Sequence, residues 1–513
     1  MRPLSRRGAD KGFPDRPHER ALVAFLFAAG AAALATRAGD GAAQCCGLLL
    51  AAATTVLLLG RLLLKSEPDA LGQLRRVAAL AVVGGLFLFF VRVARDTQRL
   101  SFALLPLPTL SILLALLLSP RFALLFGALL TALAALVARG ATGSGEALLM
   151  LGAGSLAGAL YAFRVRRPSR LLAIGVIVAA AHAVLLLVNV LLRGEPVASH
   201  DFAVRLLRGA AHGVATGLLA LGLLPLFEKL LDRLADVTLL EYSNQNEQPV
   251  LRRLQVEAPG THHHSFMVGT LAEAGAEAIG ANGLLCRVGA YFHDIGKMNK
   301  PEYFSENSPE ARALHAAMSP DMSKLVITAH AKDGIELADH YRIPRPIQAF
   351  IEEHHGTTAV EYFWRKAMLQ RGEDEVPKES YRYPGPRPQT KETAVVMIAD
   401  SVEAASRTIK EVTPQRIEQL IDDIVRMKMD DRQLDECTLT MRELTRVKEA
   451  FLQVLIGVHH RRPAYPRDPT GRLAVPLAEV ELVPEIETGR APEPSSDRRG
   501  SGRAPPPPPP SEG

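Results

Sequence analysis

Nine of the chain's fifteen histidines fall between positions 262 and 355, interleaved with acids. His293-Asp294 is followed by Ile-Gly-Lys297, and His354-His355 by Gly-Thr-Thr; His264 precedes both pairs, His330 lies between them and Asp400 follows. Imidazole and carboxylate donors together suit Mn, Fe, Zn and similar ions, and a mixed N/O set without cysteine argues against a closed structural zinc site. Neighbouring residues on a helix point about 100° apart, so both members of a pair can reach one centre. Seven such side chains exceed the need of one ion. Two ions sharing a carboxylate would use them all, and a separation of about 3.5–4 Å is the arrangement that drives in-line phosphoester hydrolysis. A lone histidine on a helix is ordinarily core or surface, and His315 and His340 are read that way. For His262 and His263, chance and metal binding explain the run equally well.

These residues need helices to hold them. From Asp236 onward the apolar period is 3.6: Leu285, Val288, Phe292 and Ile295 form one face, Ile417, Leu420, Ile421 and Ile424 a second, and Leu444, Val447, Phe451 and Val454 a third. Ser319-Pro320 and Thr413-Pro414 mark helix starts, and Gly280, Gly334 and Gly356 mark stops. No run of alternating β-branched residues competes. The sequence predicts a connector over 231–260, an all-α domain over 261–467 with a Pro-rich loop at 376–389, and a disordered Pro-, Ser- and charge-rich tail over 468–513.

The remainder is of another kind. Hydrophobic residues make up 48% of the chain beside 22% charged residues, and the apolar ones concentrate in 21–230. Candidate spans of about 17 residues or more run near 21–37, 43–64, 76–94, 102–119, 121–139, 146–163, 170–193 and 208–228. They predict a polytopic bundle of seven or eight helices after an N-terminal arm, 1–20. The first span reads as retained, not as a cleaved signal. Arg2, Arg6, Arg7 and Lys11, then Arg61, Lys65, Arg75 and Arg76, then Arg164 to Arg170, put positive charge at the arm and two loops. By the positive-inside rule these face the cytoplasm, and the helical domain with them, at the plasma (inner) membrane. Arg92, Arg95 and Arg99 run against that pattern. The net charge of +5 thus reports topology and an affinity for lipid headgroups more than a nucleic-acid polymer, which is excluded as a partner. Only His182 and Asn189 are polar at mid-depth, which suits helix-to-helix hydrogen bonding and disfavours a transporter. Cys45, Cys46, Cys286 and Cys437 form no disulfide or zinc pattern.

The stretches Glu257-Ala-Pro-Gly-Thr, His264-Ser, Val288 to Lys297, Ser323 to Gly334, His354 to Thr358 and Ala399 to Arg407 resemble the HD phosphohydrolase superfamily, and within it the PgpH-type seven-transmembrane HD family of cyclic di-AMP phosphodiesterases. Leu239-Leu-Glu-Tyr-Ser-Asn and Leu251-Arg-Arg-Leu are similar to that family's connector. The likeness covers about residues 208–467. It implies two divalent ions, Mn or Fe: one held by His264, His293 and Asp400, the other by His330, His354 and His355, with Asp294 bridging. It implies further that Lys297 meets a substrate phosphate and that Lys332, Asp333 and Arg407 lie near it or behind it. The implied partners are a cyclic dinucleotide, membrane lipids and, in principle, a second copy of the chain. Two departures stand out. Only about Arg37 to Ala42 separates the first span from the second, where family members usually carry a large extracytoplasmic domain, and the text from Asn307 to Met318 differs from the family's. Cyclic di-GMP is the nearest rival substrate, but its HD enzymes carry Gly-Tyr-Pro after the His pair. Alarmone hydrolysis calls for acids where Gly296-Lys297 stands. A non-catalytic nucleotide receptor would have no need of seven intact ligands.

Overall fold

Among the described residues, eight helices occupy the apolar half: α1 (Pro17–Ala35), α2 (Ala42–Ser66), α3 (Leu74–Thr97), α4 (Leu107–Leu117), α5 (Pro120–Val137), α6 (Ser144–Tyr161), α7 (Pro168–Leu192) and α8 (His200–Leu231). The computed structural model describes residues 17–66, 73–97, 104–141, 143–163, 165–372, 375–409 and 413–459. Most of the N-terminal arm, 1–16, and the expected disordered tail at 468–513 lie outside the described residues.

Among the described residues, five helices are long and apolar enough to cross a membrane: α2, α3, α5, α7 and α8. The expected span near 102–119 shrinks to the 11-residue α4. Pro106 and Ser119-Pro120 bound it, since proline lacks the N–H that would continue a preceding helix. The spans expected near 21–37 and 146–163 are helices of 19 and 18 residues outside that set of five. Leu57, Leu58, Val82, Leu149 and Leu192 stay exposed on the outside of the bundle, as lipid-facing side chains do. Inside it, α7 and α8 touch backbone to backbone. A Cβ on Gly175 would lie 2.6 Å from Gly213 O, and one on Gly217 2.7 Å from Leu171 O. Small residues at such a crossing let helices gain dispersion contacts that lipid cannot replace. His182 donates from Nε2 to Met150 O at 3.0 Å and stacks on His212, the interhelical role expected of it.

The connector consists of α9 (Asp236–Ser243) and α10 (Pro249–Glu257). Arg76 of α3 donates from Nε to Leu231 O, a free carbonyl at the end of α8, at 2.8 Å. The histidine-rich domain follows as α11 (Pro259–Ala278), α12 (Gly283–Phe292), α13 (Ala311–Ala316), α14 (Pro320–His340), α15 (Arg345–Glu353), α16 (Glu361–Arg371), α17 (Lys391–Ser406), α18 (Pro414–Asp430) and α19 (Met441–His459). No strand forms among the described residues; one antiparallel bridge joins Ala359 and Arg382. The expected helix faces are the packed ones: Val288 and Phe292, Ile417 and Ile421, and Val447 and Phe451 are all buried. Ser319 and Thr413 cap their helices as expected, accepting from Met322 N and Arg416 N.

One expected stop is not a stop. Gly334 sits inside α14, and a Cβ there would meet Ile351 Cγ2 at 2.7 Å. Its glycine serves close packing of α14 on α15 and on the turn at Gly296, not chain reversal. Gly280 and Gly356 do take positive φ, 74° and 55°, as helix-ending residues.

Candidate metal centre

The two ligand pairs leave their helices at the same kind of place. His293 is the residue after α12, still in the right-handed helical region, and Asp294 follows at φ −111° to open a 3-10 turn over Ile295–Asn299. His354 likewise follows α15, whose Ile347, Phe350 and Ile351 are buried. Neither pair is carried on a continuous helix, as the sequence reading supposed. The change of backbone path at each exit turns two successive side chains toward one point. His264 comes from α11, His330 from α14 and Asp400 from α17, whose start is fixed by a capping box between Thr390 and Thr393.

All seven expected ligand residues converge. Asp294 is 1% exposed and belongs to both groups able to hold an ion: His264, His293 and Asp294 on one side, Asp294, His330, His354 and His355 on the other. Its Oδ2 lies 3.1 Å from His293 Nε2 and 3.8 Å from His264 Nε2; its Oδ1 lies 3.3 Å from His330 Nε2 and 3.5 Å from His354 Nε2. Asp400 closes the first group, with Oδ1 3.0 Å from His264 Nε2 and 3.8 Å from His293 Nε2, and its Oδ2 is 3.9 Å from His355 Nδ1.

Hydrogen bonding behind the ligands decides what the cluster wants. His293, His330 and His354 each donate from Nδ1 to a backbone carbonyl one turn back: Ala290 O at 2.6 Å, Ile327 O at 2.6 Å and Phe350 O at 2.9 Å. In the neutral ring the other nitrogen then carries a lone pair. His330 and His354 thus aim lone pairs at each other across 3.2 Å, with a carboxylate oxygen beside both. His293 Nε2 and Asp294 Oδ1 are buried without a hydrogen-bond partner. Converging acceptors with no proton between them repel unless a cation sits among them. The donor set fits divalent metal.

Electrostatics agree for His330 and His355. Burial pushes His330 down to about 4 and His355 well below its ordinary value, so both are neutral ligands at pH 7. Burial would raise Asp294, but His293 and Lys297 hold it well below the usual carboxylate range. Burial opposes charge on His264 too, yet its bonds to Asp400 and Glu403 outweigh it and lift the ring to about 9, so at pH 7 His264 is protonated and an ion bound there would have to displace that proton.

The residues expected to meet substrate fare differently. Lys297 Nζ is held between Asp294 Oδ2 at 2.7 Å and Glu306 Oε1 at 2.8 Å, so its first partners are carboxylates. Arg407 pairs with Glu403 at 2.6 Å and stands behind His264. The Lys332 side chain is 81% exposed and pairs with Glu336 one turn on. A helix presents only one face to the site, and His330 already occupies it. Asp333 is in neither ligand group. His262 meets Gln245 at 2.9 Å, His263 is exposed, and His315 Nε2 donates to Tyr303 O, so none of the three is a ligand.

Three residues that touch the cluster went unnoticed in the sequence. Glu403 accepts from His264 Nδ1 at 2.5 Å, Glu306 holds Lys297, and Tyr383 stacks on His355 with ring centroids 4.2 Å apart. Only Glu403 left a signal: Asp400, Glu403 and Arg407 recur at helical spacing. Glu403→Gln is expected to lower kcat/KM about 10- to 100-fold and to weaken metal retention, the usual cost of losing an outer partner of a metal-binding histidine. Steady-state kinetics and metal content of the purified variant check this.

Residues 43–234 match the family described as 7TM receptor with intracellular HD hydrolase, and residues 261–405 match the HD domain. A protein named Cyclic-di-AMP phosphodiesterase PgpH from Bacillus subtilis (strain 168) is 40% identical over 311 residues, 61% of this chain and 43% of that protein. Its namesake from Listeria monocytogenes is 42% identical over 256 residues, 50% of this chain and 35% of that protein. The chain therefore spans less than half the length of these curated relatives. A crystal structure of the L. monocytogenes PgpH HD domain in complex with cyclic-di-AMP shares 43% identity, covers 42% of this chain and 100% of that one, and has a TM-score of 0.40.

Proposed function

We propose that this chain, whose residues 43–234 and 261–405 match the models of a 7TM receptor with intracellular HD hydrolase and of the HD domain, is a membrane-anchored phosphodiesterase opening cyclic di-AMP to linear pApA on the cytoplasmic side. The observation that carries the reading is the set of lone pairs converging on Asp294, above all His330 and His354 facing each other at 3.2 Å. His264, His293 and Asp400 would hold one divalent ion, and His330, His354 and His355 the other, with Asp294 shared. Mn and Fe suit imidazole and carboxylate ligands together. When bound, such a pair supplies Lewis acidity toward phosphate and an activated water.

The chain's own residues set the conditions. Backbone carbonyls fix the tautomers of three histidines, so their Nε2 atoms are ready to bind without rearrangement. Lys297 stays protonated, since Asp294 and Glu306 outweigh the burial that opposes its charge, and it keeps Asp294 ionised. It reaches a phosphate oxygen only by giving up one of its two carboxylate partners. Cyclic di-AMP as substrate is supported by the names of the two curated relatives and by Gly-Thr-Thr after the His pair.

The full chain, purified in detergent and loaded with manganese, is to be incubated separately with cyclic di-AMP, cyclic di-GMP and a mixed cyclic dinucleotide. Cyclic di-AMP should turn over fastest and yield pApA. Preference for cyclic di-GMP would remove the substrate assignment. A folded, metal-loaded protein that opens none of the three would remove the enzymatic one and leave a nucleotide receptor.

A further inference from the structure

The Pro-rich stretch after α16 brings an aromatic side chain against the ligands. Tyr383 N donates to Thr358 O at 2.9 Å, Val360 N donates to Tyr381 O at 2.9 Å, and Arg382 Nη1 donates to Thr357 O at 2.7 Å. These bonds pin residues 381–383 to the turn that follows His354-His355. The Tyr383 ring lies on His355, with ring planes at 28°, and edge-on to His330 at 6.0 Å between centroids.

Tyr383 is 8% exposed, and its hydroxyl, which is not itself among the buried unpaired atoms, bonds no protein group among the described residues. A tyrosine in a largely enclosed site usually directs its hydroxyl to a partner. The neighbouring Tyr381 shows the ordinary case: its hydroxyl donates to Asp321 Oδ1 at 2.7 Å. With its ring 4.2 Å from His355 and 6.0 Å from His330 between centroids, Tyr383 sits against the ligand cluster. A phenol keeps its proton at neutral pH, so the hydroxyl is available as a donor.

Resting on the phosphodiesterase reading above, we infer that Tyr383 is a catalytic residue whose hydroxyl donates a hydrogen bond to a non-bridging oxygen of the phosphate under attack. The phosphate gains negative charge as the nucleophile adds, so a fixed donor there stabilises the transition state more than bound substrate. The ring needs no protein partner because the substrate supplies one, and its stacking on His355 holds the donor still.

Tyr383→Phe keeps the ring and removes only the donor. In the full manganese-loaded chain in detergent, it is expected to lower kcat about 10- to 100-fold, the effect of one hydrogen bond to a charged group. KM should stay within about threefold and metal content should match wild type. The same comparison is to be made with bis(4-nitrophenyl) phosphate. A kcat within about twofold of wild type would overturn the assignment, leaving Tyr383 as packing. Loss of metal along with rate, or an effect confined to KM, would overturn it as well. A wild-type chain that cleaves bis(4-nitrophenyl) phosphate but not cyclic di-AMP would sink the substrate reading while leaving the Tyr383 comparison intact; one that cleaves neither ends both.

Discussion

Asp294→Ala is expected to strip the bound ions and to reduce turnover by ~10³-fold or more, beyond the loss caused by removing one hydrogen-bond donor. Both oxygens of this carboxylate are engaged. Oδ1 faces His330 and His354, Oδ2 faces His293 and Lys297, and no other residue belongs to both ligand groups. Without it, two sets of imidazoles lose their common anion, and buried Lys297 keeps Glu306 as its one remaining carboxylate partner. Asp294→Asn separates charge from shape: it preserves the volume and should fail nearly as badly, because an amide does not replace the negative charge that divalent ions require. Metal content by mass spectrometry, together with initial rates, gives the answer. A variant that retains wild-type metal content would remove Asp294 from the bridging position.

Gly296→Ala should cost about 3 kcal/mol, at the upper end for overpacking, and should cripple activity at the same time. A Cβ at this position would lie 1.9 Å from His330 O and 2.5 Å from Gly334 N, both backbone atoms of α14. No rotamer change relieves such a contact, so α14 must move away from the turn that bears Asp294. His330 travels with α14, and its Nε2 is 3.3 Å from Asp294 Oδ1. The thermal midpoint should fall by roughly 6–12 °C in parallel with metal affinity. Gly457→Ala is the matched control: nothing lies within 4 Å of its missing Cβ, and alanine is the better helix former. A Gly296→Ala protein with normal midpoint and rate would show that α14 tolerates the displacement.

The candidate ligand cluster was legible because its chemistry survives without coordinates. Histidine and aspartate are few, and seven of them in doublets and singles on separate helices is a pattern that a random helical surface rarely shows. The helices themselves were legible from Val288, Phe292, Ile417 and Phe451, since burial demands an apolar period of 3.6. What escaped notice depends on side-chain direction. Lys332 and His330 are two residues apart, so on a helix they face different ways, and only the structure says which faces inward. Tyr383 and Glu306 lie outside regular helices, where sequence has no period to place a side chain. Gly334 was misread because glycine serves both chain reversal and close approach, and residue type does not distinguish them. In the apolar half, length and hydropathy located the helices, while α4 was shortened by prolines whose effect on the ends exceeds that of the surrounding leucines.

Turnover as a function of bound manganese tests the two-ion centre most directly. The metal-free full chain is to be titrated with manganese while bound metal and the rate of pApA formation are read on the same sample. Shared use of Asp294 by two ions requires a rate that stays low through the first equivalent and reaches its plateau at two per chain. Full activity at one equivalent, or hydrolysis by the metal-free chain, would contradict it.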